Sequence, residues 1–217
     1  MPAAITADDG QRMRNELIDG VRGRNVEAHF PWVATSYATG HREGDAEGCG
    51  AGMWLNHRVC MHMKRNGCTM PMTGMLFATG NWQAYMLRLD KDECEMMGKP
   101  HVEVLIVLWT KAFFSSRACM GEIASALKNK AQIIVLRCED VNVPKKEQWP
   151  LSEKEQNDPD PAISQAYLLK RKPVVEFLAT QNTIPTPGNT ILTLPSALDD
   201  LIKLPSIRKH LASEQGA

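Results

Sequence analysis

A single glutamate, Glu122, interrupts the otherwise small and apolar segment SSRACMGEIASAL at residues 115–127. On a helical wheel its carboxylate lies about 100° from the centre of the apolar face, over the small side chains of Ala118 and Ala126. An ionised carboxylate held in such a place can stabilise positive charge that develops on a substrate. A glutamate at a helix boundary, favoured near the N-terminus of the helix, fits the same pattern. Periodicity alone favours the boundary charge.

Two other segments carry residues that could bind a ligand. In SYATGHREGD, the backbone N–H groups and Ser36, Tyr37, Thr39 and Arg42 could meet phosphates. A solvated polar loop is the default interpretation there. In TGNWQAYM, Trp82 enters a helix after a glycine and could stack on a base, although packing of helix on sheet is favoured by this segment alone. Neither segment is a GxGxxG motif or a P-loop.

Metal and nucleophile chemistry has little support in the sequence. The six histidines are scattered, and His57 and His62 stand five residues apart, so they would not share a helix face well. The six cysteines form no CxxC pair, and no GxSxG motif occurs. We therefore expect no metal site and interpret the cysteines as reduced thiols of a cytoplasmic protein.

Composition sets broad limits on the partners of the protein. The chain has 217 residues with 43% hydrophobic and 23% charged residues, which suits one domain with a substantial core. Lysine plus arginine equals aspartate plus glutamate, at 25 each, so no global basic field favours nucleic acid. The N-terminus lacks the layout of a signal peptide, and no apolar run reaches the roughly 20 residues that cross a bilayer. We expect neither a nucleic-acid nor a membrane partner.

The elements that must position these residues alternate between strands and helices. Thr6 and Asp9 can form a capping box for the first helix, and Gly67 can terminate the second. Pro173 is expected to end or kink a late helix, and Ser196 to cap the last one. The predicted strands lie at 29–40, 68–75, 102–110, 132–140 and 189–194, and the predicted helices at 6–22, 53–67, within 76–90, and at 116–130, 162–179 and 197–204, with an exposed loop at 141–161.

This alternation predicts an α/β fold with a mostly parallel sheet. The run VEVLIVLW is typical of a central strand that is buried on both faces. Ligands of such sheets bind outside the carboxyl ends of the strands. Three loops are therefore of interest: the loop after Tyr37, the loop around Trp82, and the loop after Trp109.

Taken in order, these segments resemble a Toll/interleukin receptor (TIR) domain. WVATSYATG is similar to the first-strand hallmark of that family, and TGNWQAYML to its glycine-then-aromatic entry to the second helix. The closest similarity is VLIVLWTKAFFSSRACMGEIASAL, which resembles an apolar strand, a serine, an aromatic, a second serine and W-C-x-x-E-L. QIIVLRCED resembles the strand that follows. The resemblance covers roughly residues 29–140, and the remainder only loosely.

The resemblance implies a flavodoxin-like, three-layer fold with about five strands. It implies a helical extension at 1–25 and a TIR-like domain at 26–217. Two departures stand out: Ala118 replaces the tryptophan of many members, and Thr110 replaces the serine after the third strand.

Members of the family either assemble signalling complexes or hydrolyse NAD. By resemblance, Glu122 is the catalytic glutamate of an NAD+ glycohydrolase in immune or cell-death signalling. The resemblance also makes Trp82 the aromatic that stacks on the substrate, and it places residues 36–42 and Cys119 in the binding pocket. NAD+ is then a substrate, no cofactor is expected, and self-association is expected because TIR-type sites often need neighbouring copies.

One carboxylate is enough for this reaction. Nicotinamide leaves NAD+ as a neutral amide, so no general acid is needed, and the carboxylate stabilises the oxocarbenium ion that develops on the ribose. Two alternatives remain open from the sequence. One is a non-catalytic TIR scaffold that acts by self-association, and the other is an enzyme similar to nucleoside deoxyribosyltransferases, which also relies on a glutamate.

Overall fold

A computed structural model describes residues 4–21, 31–40, 44–46, 49–77, 82–139, 141–145, 172–180, 183–185 and 190–208. These residues form a parallel sheet with helices packed against it. The strands are β1 Val33–Ser36, β2 Val104–Trp109, β3 Gln132–Arg137 and β4 Thr183–Pro185. The helices are α1 Ala7–Gly20, α2 Ala51–Arg65, α3 Trp82–Leu89, α4 Lys91–Met96, α5 Arg117–Lys128, α6 at 172–179, α7 Thr190–Lys203 and α8 Pro205–Arg208, with 3-10 turns at Gly74–Leu76 and Ala112–Ser115.

The strand order is β1-β2-β3-β4, and every neighbouring pair is parallel. On the free side of β1, Met72 forms one isolated parallel bridge with Ala34. Its backbone accepts from Thr35 N–H at 2.9 Å and donates to the Val33 carbonyl at 2.8 Å. If Met72 is counted as a strand position, the order becomes 2-1-3-4-5, which agrees with flavodoxin-like sheets. The chain thus changes direction across the sheet between β1 and β2.

Both faces of the sheet are covered, as the apolar run of β2 predicts. Every residue of β2 is buried, and alternate residues join different apolar clusters. Leu105 and Val107 pack with α1, α3 and α5, whereas Ile106 and Leu108 pack with α2 and α7. Successive side chains of a strand point to opposite faces, so these clusters are the two cores on either side of the sheet.

The N-terminal half follows the local signals in the sequence. Thr6 caps α1 through a capping box with Asp9. Met13 and Leu17 on the apolar face of α1, and Val21 at its C-cap, lie in the same core as the sheet. Gly67 adopts a φ of +73° just past the end of α2, where the left-handed region favours glycine. The predicted capping box and helix stop are confirmed.

Several predictions about the strands and the C-terminal part are wrong. The described residues contain four strands rather than about five, and only the Met72 bridge stands in the predicted strand at 68–75. In the predicted strand at 189–194, the described residues from Thr190 onward instead begin helix α7, and the last strand among the described residues is β4. Ser196 lies inside α7 and does not cap it.

Pro173 lies within the helical residues 172–179. Because the residues before 172 lie outside the described part of the chain, the prediction that Pro173 ends or kinks a helix stays a prediction. The part of the predicted helix at 162–171 and most of the loop predicted at 141–161 lie outside the described residues.

None of the described helices is long and apolar enough to pass through a bilayer.

Candidate functional site

Helix α5 carries Glu122, and the serine before the helix fixes its first turn. Ser116 is the N-cap and accepts a 3.3 Å hydrogen bond from the Cys119 N–H. Cys119, Met120 and Ile123 face the core. Glu122 is also buried, with only 6% of its surface exposed. The interpretation of Glu122 as a solvated boundary charge is therefore wrong, because neighbouring elements cover the side of α5 that the helical wheel placed at the edge.

The charge of Glu122 raises the pKa of the ionisable groups around it. Burial, and then the Glu122 carboxylate, raise the pKa of Tyr37, Tyr85 and the Cys119 thiol well above their usual ranges. The Ser36 side chain, at the carboxyl end of β1, lies against Cys119 and opposes the rise in its pKa. A carboxylate thus lies among protonated hydroxyl and thiol groups at the end of the first strand.

A buried polar network holds the end of β1 in place. Tyr85 of α3 donates a 2.7 Å hydrogen bond to the Thr35 carbonyl. The Thr35 hydroxyl donates to the Asn56 side-chain oxygen at 2.6 Å, and the Asn56 amide donates to the Thr73 hydroxyl at 2.7 Å. The Thr73 side chain also lies close to Tyr37 and opposes the rise in the pKa of its hydroxyl. The network joins α2, α3 and the turn after Met72 to β1, and so fixes the backbone next to Ser36 and Tyr37.

Four of the predicted site residues therefore lie together: Ser36, Tyr37, Cys119 and Glu122. Thr39 lies a short distance along the chain, in the wall of a cavity. Arg42 is outside the described residues. Trp82 begins α3 as predicted, but its side chain is not described.

A cavity of about 380 Å³ opens at the carboxyl edge of the sheet. Its size falls within the range of roughly 300–1,000 Å³ that is usual for small-molecule sites. It lies where the chain changes direction between β1 and β2, which is the ligand position in open α/β sheets. The described residues that line it are Ala38, Thr39 and Gly40 after β1, Ala51 and Gly52 in α2, Thr110, Lys111, Ala112 and Ser115 after β2, and Glu139 after β3.

Close backbone packing shapes one wall of this cavity. A Cβ atom on Gly52 would lie 1.7 Å from the Ala38 carbonyl oxygen, and one on Gly50 would lie 2.0 Å from the Thr39 carbonyl oxygen. Gly40 adopts a φ of +51° and passes close to Ala112. The start of α2 can approach the loop after β1 only because these positions lack side chains.

Glu122 is absent from the described lining of this cavity, while Ala38 and Thr39 in its wall directly follow Tyr37. Ala118, one turn before Glu122, is half-buried.

The sequence analysis did not predict Lys111, Glu139 or Gly52 as site residues, and Thr110 appeared there only as a departure from the family pattern. The general rule about strand ends did point to the loop after Trp109, where Thr110 and Lys111 lie.

The described residues contain no group of three or more histidine, cysteine, aspartate or glutamate side chains that could hold a metal ion. Comparisons with family models and with curated proteins found no match.

Proposed function

We propose that the protein is an NAD+ glycohydrolase of TIR type, in which Glu122 is the catalytic carboxylate. The observation that carries this proposal is the burial of Glu122 beside Tyr37 and Cys119, next to the carboxyl end of the first strand. Ligands of parallel sheets bind at that end. A glutamate whose only role was to be a solvent-exposed charge on a helix would not be buried there, because burial of a carboxylate costs free energy.

The surroundings of Glu122 suit the stabilisation of a cation. As the bond between nicotinamide and ribose breaks, positive charge spreads over the ribose carbon and ring oxygen, and nicotinamide leaves as a neutral amide. A carboxylate with little access to water interacts more strongly with that charge than a solvated carboxylate does. Water or another nucleophile then attacks the ribose carbon, giving ADP-ribose or a cyclic form. The described neighbours of Glu122 provide hydroxyl and thiol groups that hold their protons, so they would not compete with it as anions.

Tyr37 links this carboxylate to the cavity. Its side chain is half-buried, and, besides burial, the charge of Glu122 raises the pKa of its hydroxyl. The next residues, Ala38 and Thr39, form part of the cavity wall. A dinucleotide with one end in the cavity would extend its other end toward Tyr37 and Glu122. The resemblance to TIR domains adds Trp82 as a stacking platform and the region of Arg42 as a further contact.

The test measures nicotinamide release from NAD+ by the wild-type chain, Glu122→Gln and the matched control Glu95→Gln. Glu95 is an exposed glutamate on α4. We expect Glu122→Gln to lower the rate by about 100-fold or more, since a preorganised charge that acts only in the transition state is lost. Glu95→Gln should match the wild type. No release by the wild type at high protein concentration would refute the proposal, and equal release by all three would refute the role of Glu122.

The same assay separates the alternatives. An enzyme similar to nucleoside deoxyribosyltransferases would release the base from nucleosides and leave NAD+ intact. A non-catalytic scaffold would release neither. Self-association, which the resemblance to TIR domains implies for both the enzyme and the scaffold, is measured by sedimentation velocity over a range of protein concentrations. A strictly monomeric chain would contradict it.

A further inference from the structure

The cavity at the switch between β1 and β2 contains a buried hydroxyl that has no protein partner. Thr110 follows the last residue of β2, lines the cavity and is only 3% exposed. In the part of the chain that the structure describes, its Oγ1 has no hydrogen-bond partner. Buried hydroxyl groups nearly always have one, so an unmade hydrogen bond at a cavity wall points to a ligand.

Helix α2 supplies a second set of donors to the same cavity. Its first two residues, Ala51 and Gly52, form part of the wall. The N-cap is Gly50, no side chain among the described residues caps the helix, and its first turn contains no acidic residue. The N–H groups of a first turn lack partners within the helix and carry the positive end of the helix dipole. This wall therefore favours an anion.

Charged side chains at the rim decide where an anion can lie. Lys111 is exposed and lines the cavity next to Thr110. Glu139 also lines it, and its carboxylate accepts a 2.6 Å hydrogen bond from the Lys111 backbone N–H. This bond holds the carboxylate on the β3 side. An anion is therefore favoured on the α2 side, between the first turn of the helix and the loop after β2.

We propose that the start of α2, Thr110 and Lys111 form a binding site for a phosphate or diphosphate group. Thr110 donates its hydroxyl proton to a phosphate oxygen, the first-turn N–H groups of α2 donate to others, and Lys111 supplies a compensating charge. Gly52 has no side chain, which lets the loop after β1 close against the start of α2 at this wall. As the diphosphate subsite of a dinucleotide, the site rests on the proposed function, but its affinity for a simple diphosphate does not.

The test is isothermal titration of the full chain with inorganic pyrophosphate, without metal ions, at two salt concentrations. We expect wild-type binding that weakens as salt rises. Thr110→Val removes only the hydroxyl at nearly constant volume and should raise Kd about tenfold. Lys111→Gln should raise Kd severalfold and reduce the dependence on salt. Glu139→Gln, which keeps a side-chain oxygen as acceptor for the Lys111 N–H, should lower Kd.

Lys64→Gln is the matched control, because this exposed lysine lies at the opposite end of α2. It should leave Kd unchanged. Lys111→Gln changes an exposed side chain, so it tests the site even if Thr110→Val does not fold. The proposal is overturned if millimolar pyrophosphate does not bind to the wild type, or if Thr110→Val and Lys111→Gln both bind as the wild type does.

Glu122→Gln distinguishes this proposal from the proposed function. We expect this variant to bind pyrophosphate with the wild-type Kd while nicotinamide release is lost. Wild-type pyrophosphate binding without any NAD+ cleavage would support the anion site and refute the enzyme. NAD+ cleavage with an unchanged KM in both Thr110→Val and Lys111→Gln would support the enzyme and refute the anion site. ADP should compete with pyrophosphate, whereas adenosine, which lacks phosphate, should not.

Discussion

Thr35 of β1 donates a 2.6 Å hydrogen bond to the side-chain oxygen of Asn56 in α2, and both residues are buried. This pair ties the sheet to the helix whose N-terminus lines the cavity. Because both partners are shielded from water, loss of the Asn56 side chain leaves the Thr35 hydroxyl with only a long, 3.4 Å hydrogen bond to the Met72 carbonyl.

Replacement of Asn56 by alanine should therefore destabilise the fold. The change removes the short hydrogen bonds that the Thr35 and Thr73 hydroxyls make in the core, and we expect the free energy of unfolding to fall by about 2–3 kcal/mol. Urea denaturation followed by circular dichroism measures it. Asn15→Ala, at an exposed position of α1, is the control and should change stability by less than about 0.5 kcal/mol. Equal effects of the two changes would show that the buried network contributes little.

The close approach of Gly52 to the Ala38 carbonyl predicts an unusual response to alanine. In an ordinary helix, glycine to alanine stabilises by roughly 0.5–1 kcal/mol. At Gly52 the added methyl would lie 1.7 Å from a backbone oxygen, so the loop after β1 must move. We expect a net loss of about 1–3 kcal/mol, as for other overpacked sites. Gly74→Ala is the control, because a Cβ there meets nothing within 4 Å. A stabilised Gly52→Ala variant would contradict this packing.

Local signals explain which elements the sequence predicted well. The capping box of Thr6 and Asp9 and the apolar run of β2 are short-range patterns, and each forms the expected element. The segment at 189–194 is short, apolar and partly β-branched, a pattern that does not distinguish a strand from the start of a helix. From Thr190 onward it is helical in the structure, and its continuation in α7 packs on the core formed with α2.

The candidate site needed long-range information. A helical wheel gives the direction in which Glu122 points on α5, but not what covers that side. Tyr37, directly after β1, and Tyr85, in α3, are both distant in sequence from Glu122, and, besides burial, the charge of Glu122 raises the pKa of both hydroxyls. The cavity is likewise formed by segments that follow three different strands. A rule about strand ends could indicate the loop after Trp109, but only the folded chain brings Thr110 next to the start of α2.

The cysteines should be almost inert in the folded protein. All six are buried thiols that form no disulfide with one another. Burial raises the pKa of five of the thiols, to about 12 for Cys60 and Cys138, with Cys68, Cys94 and Cys119 shifted in the same direction. The thiolate is the reactive form, so little of it is present near neutral pH. We expect Ellman's reagent to label six thiols rapidly in denaturant, and native labelling to be slower by about 100-fold or more. A thiol in the native protein that reacted as fast as free cysteine would contradict this.

His57 should make stability depend on pH on the acid side. Its side chain is 12% exposed, and Nε2 lies 2.8 Å from the Glu16 carboxylate. Burial lowers the pKa of His57, and Arg58 and Arg12 act in the same direction, while Glu16 opposes them. The folded state therefore binds fewer protons at His57 than the unfolded state in the window just below the usual pKa of 6.5.

As pH falls from about 6.5 toward the lowered pKa of His57, stability should decrease by at most about 1.4 kcal/mol per pH unit, and the slope should vanish below that pKa. Urea denaturation between pH 8 and 5, compared for wild type and His57→Gln, isolates this contribution, since the variant cannot titrate at position 57. Glu16→Gln, which removes the opposing carboxylate, should lower the His57 pKa further in an NMR titration. A wild type that lost no more stability than His57→Gln would show that His57 titrates alike in the folded and unfolded chains.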